Sequence, residues 1–162
     1  MRAKRDVFSF NHIDTSIDEV TRDVIKTFYR FYHRRWWCYR KTYQRFKRLN
    51  LSCKLGSSSL IAAGTIAGGV TMNPIILGII AGAGLLLKTF TDYKHFDRKI
   101  EMCNYAYTTY EKVLTDLRSC LRGKPFDHDS FIDDMKLIDE VVTDLCPSIE
   151  SDIDKQYEVR FR

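Results

Sequence analysis

The chain has 162 residues, 26 Lys/Arg against 21 Asp/Glu, a net charge of +5, and only three prolines. That size suits a single domain, 1–162, with a real core, and the scarcity of turn residues away from one glycine cluster favours long helices over many short strands. Five cysteines, odd in number and without zinc-ligand spacing, indicate neither a disulfide framework nor a metal site and suit reduced thiols in an intracellular setting.

The charge is strongly polarised. Residues 1–56 hold 14 Lys/Arg and 5 Asp/Glu, residues 88–124 hold 8 and 5, and residues 125–162 hold 4 and 11. No acid falls between Asp23 and Asp92. A basic first part of this kind points to an anionic partner: lipid, nucleic acid or the chain's own tail. The N-terminus, "MRAKRDVFSFNHIDTS", is basic and lacks an apolar core of signal-peptide length.

The first predicted element is a basic and aromatic helical arm over 17–55. Asp14, Thr15 or Ser16 caps it, and Asp18 and Glu19 sit in its first turn, where the helix dipole favours acids. Ile25, Tyr29, Tyr32, Trp36, Tyr39, Tyr43 and Phe46 recur by threes and fours, the spacing of a packing seam. Trp37 lies off this stripe and is the candidate interfacial aromatic. Arg40, Lys41, Arg45, Lys47 and Arg48, with Lys54 and Lys88 beyond, are candidate contacts for anionic lipid headgroups. Aromatics interleaved with arginines also suit single-stranded nucleic acid, a reading weakened by the acidic tail, which competes for the same surface.

The second element, over 57–90, contains "LIAAGTIAGGVTMNPIILGIIAGAGLLL", 28 residues without a charge. Asn73 and Pro74 at its centre predict a tight turn, Asn73 as a cap and Pro74 at the first helical position. The two halves sit near the low end of the roughly 17–25 residues a membrane span needs, and Lys54 and Lys88 can snorkel to lengthen each. Gly64 with Gly68, and Gly78 with Gly82, form two GxxxG pairs that allow close helix packing in lipid. Basic flanks on both sides place both termini in the cytosol, with only the turn crossing. The competing reading makes the same stretch the buried inter-subunit core of a soluble helical oligomer, and a third makes it one tilted span.

A second heptad arm is expected over 88–122, with Tyr93, Phe96, Ile100, Cys103, Tyr107, Tyr110, Leu114, Leu117 and Leu121 in step, ended by Gly123 and Pro125. Acidic helices over 127–158 follow. Ser130 and Asp133 suggest a capping box, and Phe131, Met135, Ile138, Val142 and Leu145 form an apolar face that would lie on the arms. The histidines pair with neither acids nor cysteines at catalytic spacing, and "DHDSFIDD" lacks the glycine and closing glutamate of a calcium loop. No phosphate-binding loop is present. No enzyme activity, cofactor or small-molecule substrate is therefore expected.

The order amphipathic helix, "LIAAGTIAGGVTM", Asn-Pro, "IILGIIAGAGLLL", amphipathic helix resembles the two-transmembrane effector modules of the SLATT type. It is also similar to small membrane-hairpin proteins encoded by Polinton-like viruses and transposons of animals. The resemblance covers roughly residues 20–122 and implies membrane insertion and pore formation through oligomers. The expected fold is thus all-α, a long antiparallel hairpin with an apolar Gly-rich tip and a C-terminal amphipathic helix on its arms. The expected function is a non-enzymatic, oligomeric, two-span membrane protein that perturbs or perforates the bilayer. The alternative is a soluble helical oligomer acting as a structural or interaction protein.

Overall fold

The computed structural model describes residues 17–68 and 74–161. Among the described residues every regular element is a helix and there is no strand: α1 (Glu19–Gly68), α2 (Pro74–Tyr93), α3 (Phe96–Cys120), α4 (His128–Leu145) and α5 (Ser151–Phe161). They fall into two units, one of residues 17–42 with 102–161 and the other of residues 43–68 with 74–101. Asn73 lies outside the described residues.

In the first unit the aromatic seam of α1 meets the apolar stripe of α3. Ile25, Tyr29, Tyr32 and Tyr39 of α1 and Cys103, Tyr110, Leu114 and Leu117 of α3 are all buried. Tyr110 stacks between Tyr32 and Tyr39, with ring centroids 5.9 and 6.0 Å away. Offset stacks of this kind add to the burial of large rings. The acidic C-terminal helices pack here too. Met135 and Val142 of α4 are buried, and Phe131 tilts onto Phe28 at 5.1 Å. Ile153 and Tyr157 of α5 close a cluster with Trp37 and Cys38.

Two termini explain how α3 hands over to α4. Gly123 takes a left-handed φ of 102°, its amide donating to the Cys120 carbonyl while the Lys124 amide donates to Ser119. This pair of bonds is a Schellman ending, in which glycine avoids a Cβ clash. Gly123→Ala is expected to cost about 1 kcal/mol, measurable as a lowered urea midpoint at constant slope. The start of α4 is set by Asp127 rather than by the expected Ser130–Asp133 box. Its carboxylate accepts from the amides of Asp129 and Ser130, so the helix begins two residues before Ser130.

In the second unit α1 continues unbroken through Gly56 and Ser57–Ser59, where a boundary near residue 56 was expected. A Cβ added at Gly56 would meet Leu87 of α2 at 3.6 Å, and the Ser57 hydroxyl donates to the Lys54 carbonyl. The helix thereby tolerates a poor helix former where a neighbour comes close. The arm expected over 88–122 is divided instead. α2 ends at Tyr93, and His95 turns the chain with φ 48° before Phe96 opens α3. Phe96 is buried against Phe46 and Phe90, whereas Tyr93 is 75% exposed. Asp97 in the first turn of α3 accepts from Asn50 at 2.7 Å and Lys54 at 3.1 Å. The Lys54 ammonium, then the Asn50 amide, hold its carboxyl below the usual range.

The two-span membrane expectation is overturned here. No helix among the described residues is long and apolar enough to cross a membrane. The charge-free part of α1 is confined to Leu55–Gly68 and that of α2 to Pro74–Leu87, 14 residues each. At 1.5 Å per residue either run covers about 21 Å, short of the roughly 30 Å hydrocarbon core. Beyond these runs α1 carries Lys54 and α2 carries Lys88 and Asp92. The integral membrane, transmembrane and pore-forming readings, and a multi-pass location, are corrected accordingly.

Candidate interaction surface

In the second unit α1 lies against α2 through small residues. A Cβ added at Gly64 would meet Ile80 at 3.6 Å. At Gly84 it would meet Ile61 at 3.1 Å, the Leu60 Cβ at 3.4 Å and the Ser57 carbonyl at 3.5 Å. The closest approach is therefore at Gly84, which the GxxxG spacing passes over. Gly78 and Gly82, paired by that spacing, have nothing within 4 Å of an added Cβ. They lie on the side of α2 away from Ile61 and Leu60. Gly68 closes α1, and its surroundings lie outside the described residues. Pro74 opens α2, as its fixed φ and missing amide hydrogen suit.

Gly84→Val is accordingly expected to destabilise the α1–α2 contact by about 1–3 kcal/mol, because a branched side chain must displace Ile61. Gly78→Ala is expected to raise the stability of α2 by about 1 kcal/mol in chain dilute enough to be monomeric. Thermal unfolding followed by circular dichroism reports both, and the two variants should move the midpoint in opposite directions.

The outward side of this pair is apolar. Ile66 (74%), Ile75 (68%), Ile79 (67%), Leu85 (60%) and Leu86 (73%) are exposed, and Phe90 is half-exposed. Of the eighteen exposed large apolar side chains among the described residues, eleven lie in the second unit, the smaller of the two. Isolated exposed leucines are ordinary, but a contiguous set marks a contact surface. Ile75 and Ile79 stand one turn apart, Leu86 follows Ile79 after two turns, and Gly78 and Gly82 lie between them.

The basic side chains divide by position. Arg40 lies over the Trp36 ring at 5.0 Å and Lys41 over the Trp37 ring at 5.6 Å. Lys47 donates to the Tyr43 hydroxyl at 3.3 Å. Lys54 is held by Asp97. Arg45, Arg48 and Lys88 are exposed. Trp37, expected at an interface, is only 7% exposed and stands edge-on to Tyr157 and Phe161 at 5.6 and 5.9 Å. The covering helix is α5, whose apolar face the sequence pattern left unassigned to a partner.

The first unit holds polar contacts that periodicity does not reveal. Arg34 bonds Asp154 at 2.8 and 2.5 Å and reaches Glu158 at 3.2 Å. Its guanidinium holds the Asp154 carboxyl below the usual range. Arg35 pairs with Asp139 at 2.5 Å, and the Tyr110 hydroxyl donates to the same carboxylate at 2.8 Å. Burial pushes the Cys38 and Cys103 thiols up to about 12, which makes them poor nucleophiles. Among the described residues no group of three or more His, Cys, Asp and Glu is placed to hold a metal ion. Charge asymmetry between the first arm and the tail was the sequence signal for the Arg34 and Arg35 pairs. No family model, curated protein or solved structure matches this chain.

Proposed function

We propose that this is a helical, self-assembling interaction protein. The α1–α2 pair of the second unit forms an antiparallel hairpin with a Gly-rich apolar end, and the outward faces of several such hairpins form the core between copies. The observation that carries this reading is the exposed set Ile75, Ile79, Leu85 and Leu86 of α2, on the helix that carries the open Gly78 and Gly82 positions, together with the exposed Ile66 of α1. Helix backbones from a second copy can approach closely where no Cβ intervenes, and the isoleucines and leucines then interdigitate. Burying such a set contributes about 25 cal/mol per Å² of apolar surface removed from water, before the cost of association.

Sedimentation velocity across a concentration series tests this. The native chain should sediment as an oligomer whose mass falls on dilution. Ile79→Glu with Leu86→Glu places two carboxylates in the contact and should shift the chain to smaller species at every concentration, with unchanged helicity. A native chain that is monomeric throughout the series, or a double variant that sediments as the native chain does, overturns the proposal.

A further inference from the structure

The solvent side of α4 carries a second apolar stripe, separate from the hairpin face. Leu137, Val141 and Leu145 follow one another at one-turn spacing and are 63%, 41% and 49% exposed. The core-facing side of the same helix is already used by Met135 and Val142. Glu140 and Asp144 border the stripe, one turn apart and exposed. The acids that answer the first arm within the unit are different ones, Asp139, Asp154 and Glu158. The Glu140–Asp144 edge therefore faces outward.

A stretch of opposite character exists on α1. Leu51 and Leu55 are 57% and 60% exposed, one turn apart. Arg48 precedes Leu51 by three residues and Arg45 precedes Arg48 by three, and both arginines are exposed. The basic pair is separated by about 4.5 Å of helix rise and the acidic pair by about 6 Å, so two packed helices can bring them face to face. Each element offers leucines bordered by one sign of charge.

We infer that α4 of one copy docks against the Arg45–Leu55 stretch of α1 in a second copy. Leu137, Val141 and Leu145 cover Leu51 and Leu55, while Glu140 and Asp144 meet Arg45 and Arg48. The contact deepens the self-assembly reading by naming a second, charge-selected surface. Apolar contact supplies affinity, and the charges choose the partner surface and speed the encounter. Like charges brought together on either side repel, so the surface rejects a copy docked the wrong way round.

A charge swap tests it, carried out in the Ile79→Glu/Leu86→Glu background so that hairpin association is absent. Fluorescence anisotropy of labelled chain titrated with unlabelled chain reads the remaining association. Glu140→Lys/Asp144→Lys should weaken it at least about tenfold at low salt, and so should Arg45→Glu/Arg48→Glu. Mixing the two variants should restore binding, because the reversed surfaces complement each other. Circular dichroism confirms that each variant retains its helix content. The inference is overturned if either charge variant binds itself as tightly as its parent, or if the mixture binds no better than the variants alone. Failure of the hairpin reading looks different: the native chain and the Ile79→Glu/Leu86→Glu background then associate equally, while the charge swap still discriminates.

Discussion

Tyr110→Ala is expected to cost about 4 kcal/mol of stability, enough to unfold most of a marginal domain. Tyr110 is fully buried, so truncation removes the ring and leaves a cavity between α1 and α3. It also removes the ring that Tyr32 and Tyr39 stack upon. The hydroxyl adds a polar component, since it donates to Asp139 at 2.8 Å and accepts from Arg35 at 3.2 Å. Tyr110→Phe isolates that component. Arg35 and Asp139 still pair directly at 2.5 Å, so the phenylalanine should cost only about 1–2 kcal/mol. Urea titration of both variants checks the ratio. A phenylalanine as costly as alanine would mean that the polar network, rather than the packed ring, holds α3 to α1.

Much of this core is written in the period of the sequence. The α1 seam from Ile25 to Tyr39 and the α3 stripe from Cys103 to Leu121 are the buried faces, because helix spacing alone decides which side chains share a face. Where the pattern misleads, a backbone event intervenes. Tyr93 keeps step with Phe96 and Ile100 yet is exposed, because the left-handed turn at His95 separates their helices. A period cannot register a change of helix between two of its members. The site of closest α1–α2 approach was similarly hidden. Gly64, Gly78 and Gly82 match a packing motif, but which glycines face a partner depends on the rotation of α2 against α1, and that rotation brings Gly84 inward.

Hydrophobicity was the other partial signal. Leu60–Leu87 is free of charge, which suits both a bilayer and a protein interface. Length separates the two: with charge-free runs of 14 residues in α1 and α2, neither described helix reaches across a hydrocarbon core. The polarised charge was partly legible. It anticipated that the acidic tail would meet the first arm, as Asp139 and Asp154 do with Arg35 and Arg34. It could not show that α5 would cover Trp37, since that depends on where the loop after Cys146 delivers Ile153 and Tyr157.

The second large effect is a loss of stability on mild acidification, centred on His33. This side chain is 4% exposed, its Nδ1 lies 3.1 Å from the Tyr157 hydroxyl, and burial, followed by the Arg118 guanidinium, lowers its pKa to about 4. The unfolded chain binds the proton near pH 6.5, so between 6.5 and about 4 the unfolded state holds more protons than the folded one. Stability must therefore fall as pH is lowered through that window, by up to 1.36 kcal/mol per unit and about 3 kcal/mol in all. Above pH 6.5 the neutral ring contributes fully. Asp154 also carries a lowered pKa, so its stabilisation too is lost on acidification, but chiefly below its ordinary value of 3.8. The two losses thus occupy different ranges. His33→Gln keeps an amide that can partner Tyr157 and cannot titrate, so its stability should be nearly flat between pH 6.5 and 4.5, where that of the native chain slopes. Equal slopes for the two chains, in urea titrations at half-unit steps of pH, would remove His33 as the source.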